Sequence, residues 1–261
     1  MTAIFSHHVE NQLKEEFFGH ATHGFFVDVG ANDPVEGSQT WHLEQLGWDG
    51  VLVEPQRDLA EKSRQRRRAK VYAVACSSPA NAGKTMTLNL AGIQSSLNPD
   101  FFVPDMVPAG VTEVPIMTLD QILIDAKAPA PLDLLSIDVE SHELEVLSGF
   151  DLARWRPRLT LIEDIVLNRR LHRCLTSRGY KWVRRTGFNG WYIPVDQAFP
   201  VSGFGQLQFV RKYYLGVPFR VMREISRPIR RRWKQRAARR GSETRNSQTP
   251  TPNLTAASAQ A

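Results

Sequence analysis

Hydrophobic positions in this chain fall into short unbroken runs, and between the runs they recur every three or four residues. The runs are Phe25-Phe26-Val27, leading into Asp28-Val29-Gly30, and residues 51–53, 71–75, 132–137 and 159–162. Apolar runs without polar alternation belong to strands covered on both faces. The helical spacing predicts helices over about residues 38–46, 57–68, 119–124, 142–147 and 167–178. They are preceded by a polar helix over 9–18 whose Leu13, Phe17 and Phe18 share one side and cover a sheet edge. Strands that alternate with helices need right-handed crossovers, which makes the sheet parallel. Residues 181–185 and 191–193, parted by Gly187, Asn189 and Gly190, predict a closing antiparallel pair. The whole pattern predicts an α/β, Rossmann-like fold: a seven-stranded, mostly parallel sheet with helices on both faces and a terminal antiparallel hairpin.

Two stretches fit the pattern less tightly. Residues 85–90 can add an edge strand. Residues 91–112 form a long excursion, and loops of that length are uncommon unless they cover a site. Its Ser95, Ser96, Asn98, Phe101, Phe102 and Met106 suit a lid over a sugar or lipid-linked acceptor, and equally the packing of a meandering loop.

Composition narrows the class. At 261 residues, 42% hydrophobic and 23% charged, the chain has average globular make-up, which excludes wholesale disorder and a disulfide-stapled miniprotein. Cys76 and Cys174 have no second Cys or His at metal-ligand spacing, so both are expected as reduced thiols. No apolar run reaches the roughly 18 to 20 residues of a membrane span. His7, His8 and Glu10 stand where a signal peptide would be apolar, so a cytoplasmic protein is the expectation.

The net charge of +6 hides a division. Residues 211–261 carry 13 Lys and Arg against Glu224 and Glu243, net +11, while residues 1–210 carry 20 basic and 25 acidic residues, net −5. Within the basic part Met222, Ile225, Ile229 and Trp233 recur at spacings of 3, 4 and 4 among eight Arg and Lys. This predicts a basic amphipathic helix, kinked at Pro228, that lies peripherally on an anionic inner membrane surface or packs outside the body with a solvated face. No nucleic-acid motif accompanies it, so nucleic acid is not the expected partner. The domain plan is an N-terminal helix over 1–23, the main domain over 24–210, the basic tail over 211–240, and a Ser, Thr, Pro and Ala-rich end over 241–261 expected to be disordered.

In an open parallel sheet the ligand crevice lies beyond the carboxyl ends of the strands. The residues there are Asp28, Gly30 and Asn32 after the first strand, Glu54 after the second and Cys76 and Ser77 after the third. Asp138 and Glu140 follow the fourth, and Glu163 and Asp164 the fifth. The first turn reads Asp28-Val29-Gly30-Ala31-Asn32-Asp33-Pro34, so a GxGxxG motif lacks its second and third glycines. Close approach to a pyrophosphate is not provided for, which argues against an NAD-linked oxidoreductase. Glu54 stands 24 residues after Gly30, where an acidic side chain accepts hydrogen bonds from ribose hydroxyls. An adenosine without phosphates satisfies both facts. Turn capping by Asp28 and Asn32 and a solvated strand end at Glu54 are the plainer alternatives.

Four segments carry a closer likeness. Phe26-Val27-Asp28-Val29-Gly30-Ala31-Asn32, Gly47-Trp48-Asp49-Gly50-Val51-Leu52-Val53-Glu54-Pro55, Ser95-Ser96-Leu97 and Leu135-Ser136-Ile137-Asp138-Val139-Glu140 recur in that order in FkbM-type methyltransferases, which the chain resembles over about residues 24–194. The likeness takes in Met117-Thr118-Leu119-Asp120 and Asn189-Gly190-Trp191. It implies a class I methyltransferase sheet, S-adenosylmethionine as cofactor, and an O-methyl product on a hydroxyl of a sugar, glycolipid or natural product. Carried over by position, it implies that Asp28, Gly30, Ala31 and Asn32 hold the methionine end and that Glu54 with Pro55 holds the ribose. Cys76 and Ser77 would then flank the adenine, and Asp138 would border the cofactor. Family members commonly read Ser-Asp after the third strand and Glu-Gly after the fourth, where this chain reads Cys76-Ser77-Ser78 and Glu140-Ser141-His142.

Methyl transfer is an in-line displacement, so the protein chiefly holds the acceptor oxygen about 3 to 3.5 Å from the methyl carbon. A sugar hydroxyl must also lose its proton, which calls for a carboxylate or imidazole at the strand ends. Asp138, Glu140 and His142, with Glu163 in support, are the expected catalytic residues. An exposed helix start is the plainer account of His142. Asp138 ends an apolar strand, where an ionised side chain is costly unless it binds something. Asp138, Glu140, Glu163 and Asp164 also suit Mg²⁺, but helix capping and a general base account for them without a metal. Two rivals remain: a non-catalytic, membrane-recruited nucleoside-binding module, and an RNA methyltransferase.

Overall fold

The computed structural model describes residues 2–101, 107, 109–164, 169–199, 203–216, 218, 222 and 226. Residues 1–213 form one compact unit and 214–261 another; the architecture is that of the first. Its elements in chain order are α1 (Thr2–Phe17), β1 (Phe25–Val29), α2 (Trp41–Gln45), β2 (Asp49–Val53), α3 (Arg57–Arg66), β3 (Lys70–Tyr72), β4 (Ala75–Cys76), β5 (Thr85–Leu90) and β6 (Gly110–Met117). They continue with α4 (Leu119–Ala126), β7 (Leu134–Ile137), α5 (Glu143–Ser148), α6 (Leu152–Trp155), β8 (Leu159–Glu163), α7 (Arg169–Thr176), β9 (Tyr180–Thr186), β10 (Asn189–Pro194) and α8 (Gly203–Val210).

The main sheet has seven strands in the order β3-β2-β1-β7-β8-β10-β9. The first five run parallel, and β10 lies antiparallel to both β8 and β9. Strand order reverses on either side of β1, where Asp28 stands opposite Leu52 of β2 and Ser136 of β7. Successive side chains of a strand point to opposite faces, and this sorts the core into two layers. Val27, Val29, Val51, Val53, Leu135 and Ile137 pack against Leu119, Ile122, Val146 and Leu171 from α4, α5 and α7. Phe26, Leu52, Leu134, Leu159, Leu161 and Trp191 pack on the other face with Phe18 and Leu43. The unbroken apolar runs are thus buried on both sides.

Two expectations about the middle of the chain need correction. Residues 71–75 are not one strand: Lys70–Tyr72 joins the main sheet, and Ala75–Cys76 leaves it to pair with β6 in a second, three-stranded sheet β4-β6-β5. The excursion likewise ends in a strand, β6, which pairs antiparallel with β5. Ala75, Leu88, Leu97, Val114 and Ile116 form the separate small core that holds this sheet together. Val114 and Ile116 alternate with Glu113, Pro115 and Met117, a period-two pattern hidden behind the Ser and Pro-rich stretch before it. Helix α6 also escaped the sequence pattern; its start is fixed by Asp151, whose side chain accepts from the Ala153 and Arg154 amides.

Arg67, directly after α3, is buried and organises the loop that follows β1. Its guanidinium donates to Glu44 Oε2 (3.1 Å), the Pro34 carbonyl (2.9 Å), Ser38 Oγ (3.2 Å) and Thr40 Oγ1 (3.0 Å). Glu44 also accepts the Arg68 and Ala69 amides. Beyond α8, Arg211–Leu215 is a π-helical segment. The expected amphipathic helix over 211–240 falls almost wholly outside the described residues, and the end over 241–261 entirely so. Among the described residues no helix is long and apolar enough to cross a membrane.

Candidate functional site

The turn after β1 is set by backbone geometry. Gly30 has φ of 85°, its amide donates to the Val53 carbonyl (2.9 Å), and a Cβ there would meet the Asp138 carbonyl oxygen at 1.8 Å. Only glycine lets the end of β1 press this closely on the end of β7. The Ala31 amide donates to the same Val53 carbonyl (3.1 Å), and Asn32 takes a left-handed φ of 52°. The Asn32 amide then donates to Glu54 Oε2 (2.8 Å), while Oε1 accepts the Gln56 amide across Pro55 (2.8 Å). Glu54 is 3% exposed, and burial raises its pKa to about 7 against the pull of both amides. The Gln56 side chain also donates to this carboxylate, which keeps acceptor capacity for a further donor.

On the α1 and α2 face of the sheet, Asp28 is buried and accepts the Thr40 hydroxyl (2.8 Å) and that of Ser136. Burial holds its pKa above the usual carboxylate range, opposed by Thr40, Arg67 and Lys14.

Asp138, Glu140 and Glu163 come together: one carboxylate oxygen from each lies within 4.8 Å of the others. That spacing is compatible with a divalent cation, and equally with the proton that two of them share. Asp138 and Glu163 are hydrogen-bonded to each other. Burial, then repulsion from Asp138, Glu140 and Glu143, pushes Glu163 furthest upward. Burial also raises Asp138, but its bond to Glu163 pulls it back, so of the two Glu163 is pushed further toward its protonated form. Glu140 is raised as well, by burial and then by Asp138, and its Oε2 is buried without a hydrogen-bond partner.

Glu140 and Ser141 have φ of 53° and 75°, so Ser141 occupies a left-handed position suited to glycine. The Glu140 carbonyl accepts the Ser96 hydroxyl (2.6 Å), which ties the excursion to the site, and the Ser141 amide donates to Glu143 (3.0 Å). This double left-handed turn leads His142 to Ser77, with Nε2 3.0 Å from Ser77 Oγ, and Asn81 donates to the same hydroxyl (3.0 Å). Burial lowers the His142 pKa. Cys76 packs into the core, and burial pushes its thiol far up. The side chains of Cys76, Ser77 and His142 are therefore turned to protein partners. Asp164 is paired with Lys212 rather than with the three carboxylates, and both are buried. Cys76 and Cys174 are free thiols.

Two residues that no sequence motif marked also reach this end of the sheet. Glu10 of α1, 3% exposed, accepts from the Thr186 hydroxyl and from Asn189 Nδ2 (3.1 Å), and Lys14, 0% exposed, reaches Gln39. Glu10, Leu13, Lys14 and Phe17 share one stripe of a helix. Charged residues on an otherwise apolar stripe were the available signal. An open depression of about 360 Å³ lies apart, lined by Pro79, Thr118, Gln121 and Phe150 among others, and none of the strand-end carboxylates borders it.

A parallel sheet in which one strand alone, β10, is reversed, inserted between β8 and β9, with a glycine turn at the point where strand order reverses, is the α/β sheet of a class I methyltransferase. The family model described as methyltransferase FkbM domain matches residues 28–181. The chain belongs to the FkbM methyltransferase family. None of the curated proteins compared with it matches.

Proposed function

We propose that this methyltransferase uses S-adenosylmethionine to methylate a hydroxyl of a sugar, glycolipid or natural-product acceptor. The observation that carries the reading is the Glu54 carboxylate, buried at the end of β2 beside the Gly30 turn and held by the Asn32 and Gln56 amides. A carboxylate acceptor there fits ribose hydroxyls, and the turn offers room without the backbone approach that a pyrophosphate needs. S-adenosylmethionine, when bound, supplies an electrophilic methyl group. Asp28, Gly30, Ala31 and Asn32 would hold its amino-acid end, and Glu54 with Pro55 its ribose.

The acceptor's proton needs a base, and Asp138 suits the role because its bond to Glu163 favours its charged form. Glu140, on a turn tied to Ser96, borders the same space and suits acceptor hydroxyls. The test is calorimetric titration of S-adenosylmethionine into the wild type, Glu54→Gln and Asp138→Asn, followed by turnover on a panel of sugar and glycolipid acceptors. Glu54→Gln is expected to weaken binding about tenfold or more. Asp138→Asn is expected to lower kcat by about 10²- to 10⁴-fold. A wild type that does not bind the cofactor ends the reading; one that binds it but never turns over favours a nucleoside-binding module.

A further inference from the structure

Lys14 is a buried cation to which no carboxylate is bonded among the described residues, although Glu10, Asp28 and Glu15 act on it from a distance. Its ammonium is 0% exposed and donates to the Gln39 main-chain carbonyl and to Gln39 Oε1 (3.1 Å). An ammonium has three donors, so one N–H has no acceptor among the described residues. No carboxylate pairs with it there either: Glu10 is engaged with Thr186 and Asn189, and Asp28 with Thr40 and Ser136. Glu10 and Asp28 act on it through space, yet desolvation prevails and lowers its pKa to about 8. Nearby His42 is held neutral by burial, Lys14 and Arg67, so it brings no charge. A desolvated ammonium without a counter-ion is costly, and the cost falls when an anion arrives.

The location says which anion. Gln39 belongs to the loop that leaves the Gly30 turn, and Asp28 at the end of β1 faces the same side of the sheet. That is where the amino-acid end of the cofactor falls once Glu54 takes the ribose. We propose that Lys14 anchors the carboxylate of S-adenosylmethionine, so that a cofactor contact comes from helix α1, outside the matched segment 28–181. A charge-assisted hydrogen bond completes the ammonium's donor set, and Gln39 positions it. This inference rests on the functional reading above.

The test compares S-adenosylmethionine with S-adenosylmethioninamine, which lacks only the carboxylate, by calorimetry on the full chain. The wild type is expected to prefer S-adenosylmethionine by about tenfold or more. Lys14→Met keeps the apolar stem, and is expected to bring the two ligands within about twofold by weakening S-adenosylmethionine alone; Lys14→Arg should restore part of the preference. Equal binding of the two ligands by the wild type overturns the proposal without any variant. So does a Lys14→Met protein that melts cooperatively and keeps the full preference. If Lys14→Met does not fold, Lys14→Gln and the wild-type comparison decide. A wild type that binds neither ligand removes the functional reading as well, whereas binding without preference removes the Lys14 assignment alone.

Discussion

Glu54 sets a pH dependence that can be worked out from one side chain. Its pKa of about 7 leaves it roughly half protonated at neutral pH, and ribose hydroxyls donate only to the oxygens' free lone pairs. Ligand binding therefore pulls the proton off. Affinity for S-adenosylmethionine is expected to rise from pH 6 to pH 8, with a fraction of a proton released near pH 7, measured by calorimetry in buffers of different ionisation enthalpy. Glu54→Gln should flatten that dependence. Glu54 was legible in the sequence because its distance from Gly30 carries the meaning. The partner of His142 was not legible, because adjacency to Asp138 and Glu140 says nothing of the left-handed residues that turn it to Ser77. Lys14 went unnoticed because its helix looked like an edge cover until the structure showed what lay beneath it.

At the scale of elements, the apolar runs located the five parallel strands at one side of the main sheet, since a strand buried on both faces has little freedom in composition, while the turn residues Gly187, Asn189 and Gly190 marked the pair β9 and β10. The runs located β4 wrongly, because the run 71–75 is apolar throughout and nothing in it marks where the chain changes sheets. The loop between β1 and α2 depends on the buried Arg67 and its partner Glu44, which a reading of surface charge on α3 could not find. Arg67→Ala removes one member of a buried ion pair and leaves Glu44 uncompensated, which is expected to cost about 3 to 5 kcal/mol in urea denaturation. Arg67→Lys should recover little, because an ammonium cannot reach Glu44, Pro34, Ser38 and Thr40 together.

For the molecule as a whole, the gathered carboxylates set how stability varies with pH. Glu54 and Glu143 are raised by burial to about 7, and Asp138, Glu140 and Glu163 are raised with them. The folded state then binds more protons than the unfolded chain between the ordinary carboxylate range and about pH 7, so this stability is complete at acid pH and is lost as pH rises. Asp33 works the other way: despite the opposing effect of burial, Lys62 and two amides hold it down to about 2, and its contribution is lost as pH falls. The ligand-free protein is expected to be more stable at pH 5.5 than at pH 8 in urea denaturation, and a cofactor should narrow the gap.

Helix α1 is the first element of the sequence, and its Glu10 is held by Thr186 and Asn189, 176 and 179 residues further on. Its Phe17 meets Trp191 and Phe199. During synthesis these partners leave the ribosome on the order of ten seconds after the helix does. For that interval Glu10 lacks the two side chains that hold it, and Phe17 lacks Trp191 and Phe199. Translation therefore sets the earliest moment at which α1 can complete its contacts with β9 and β10.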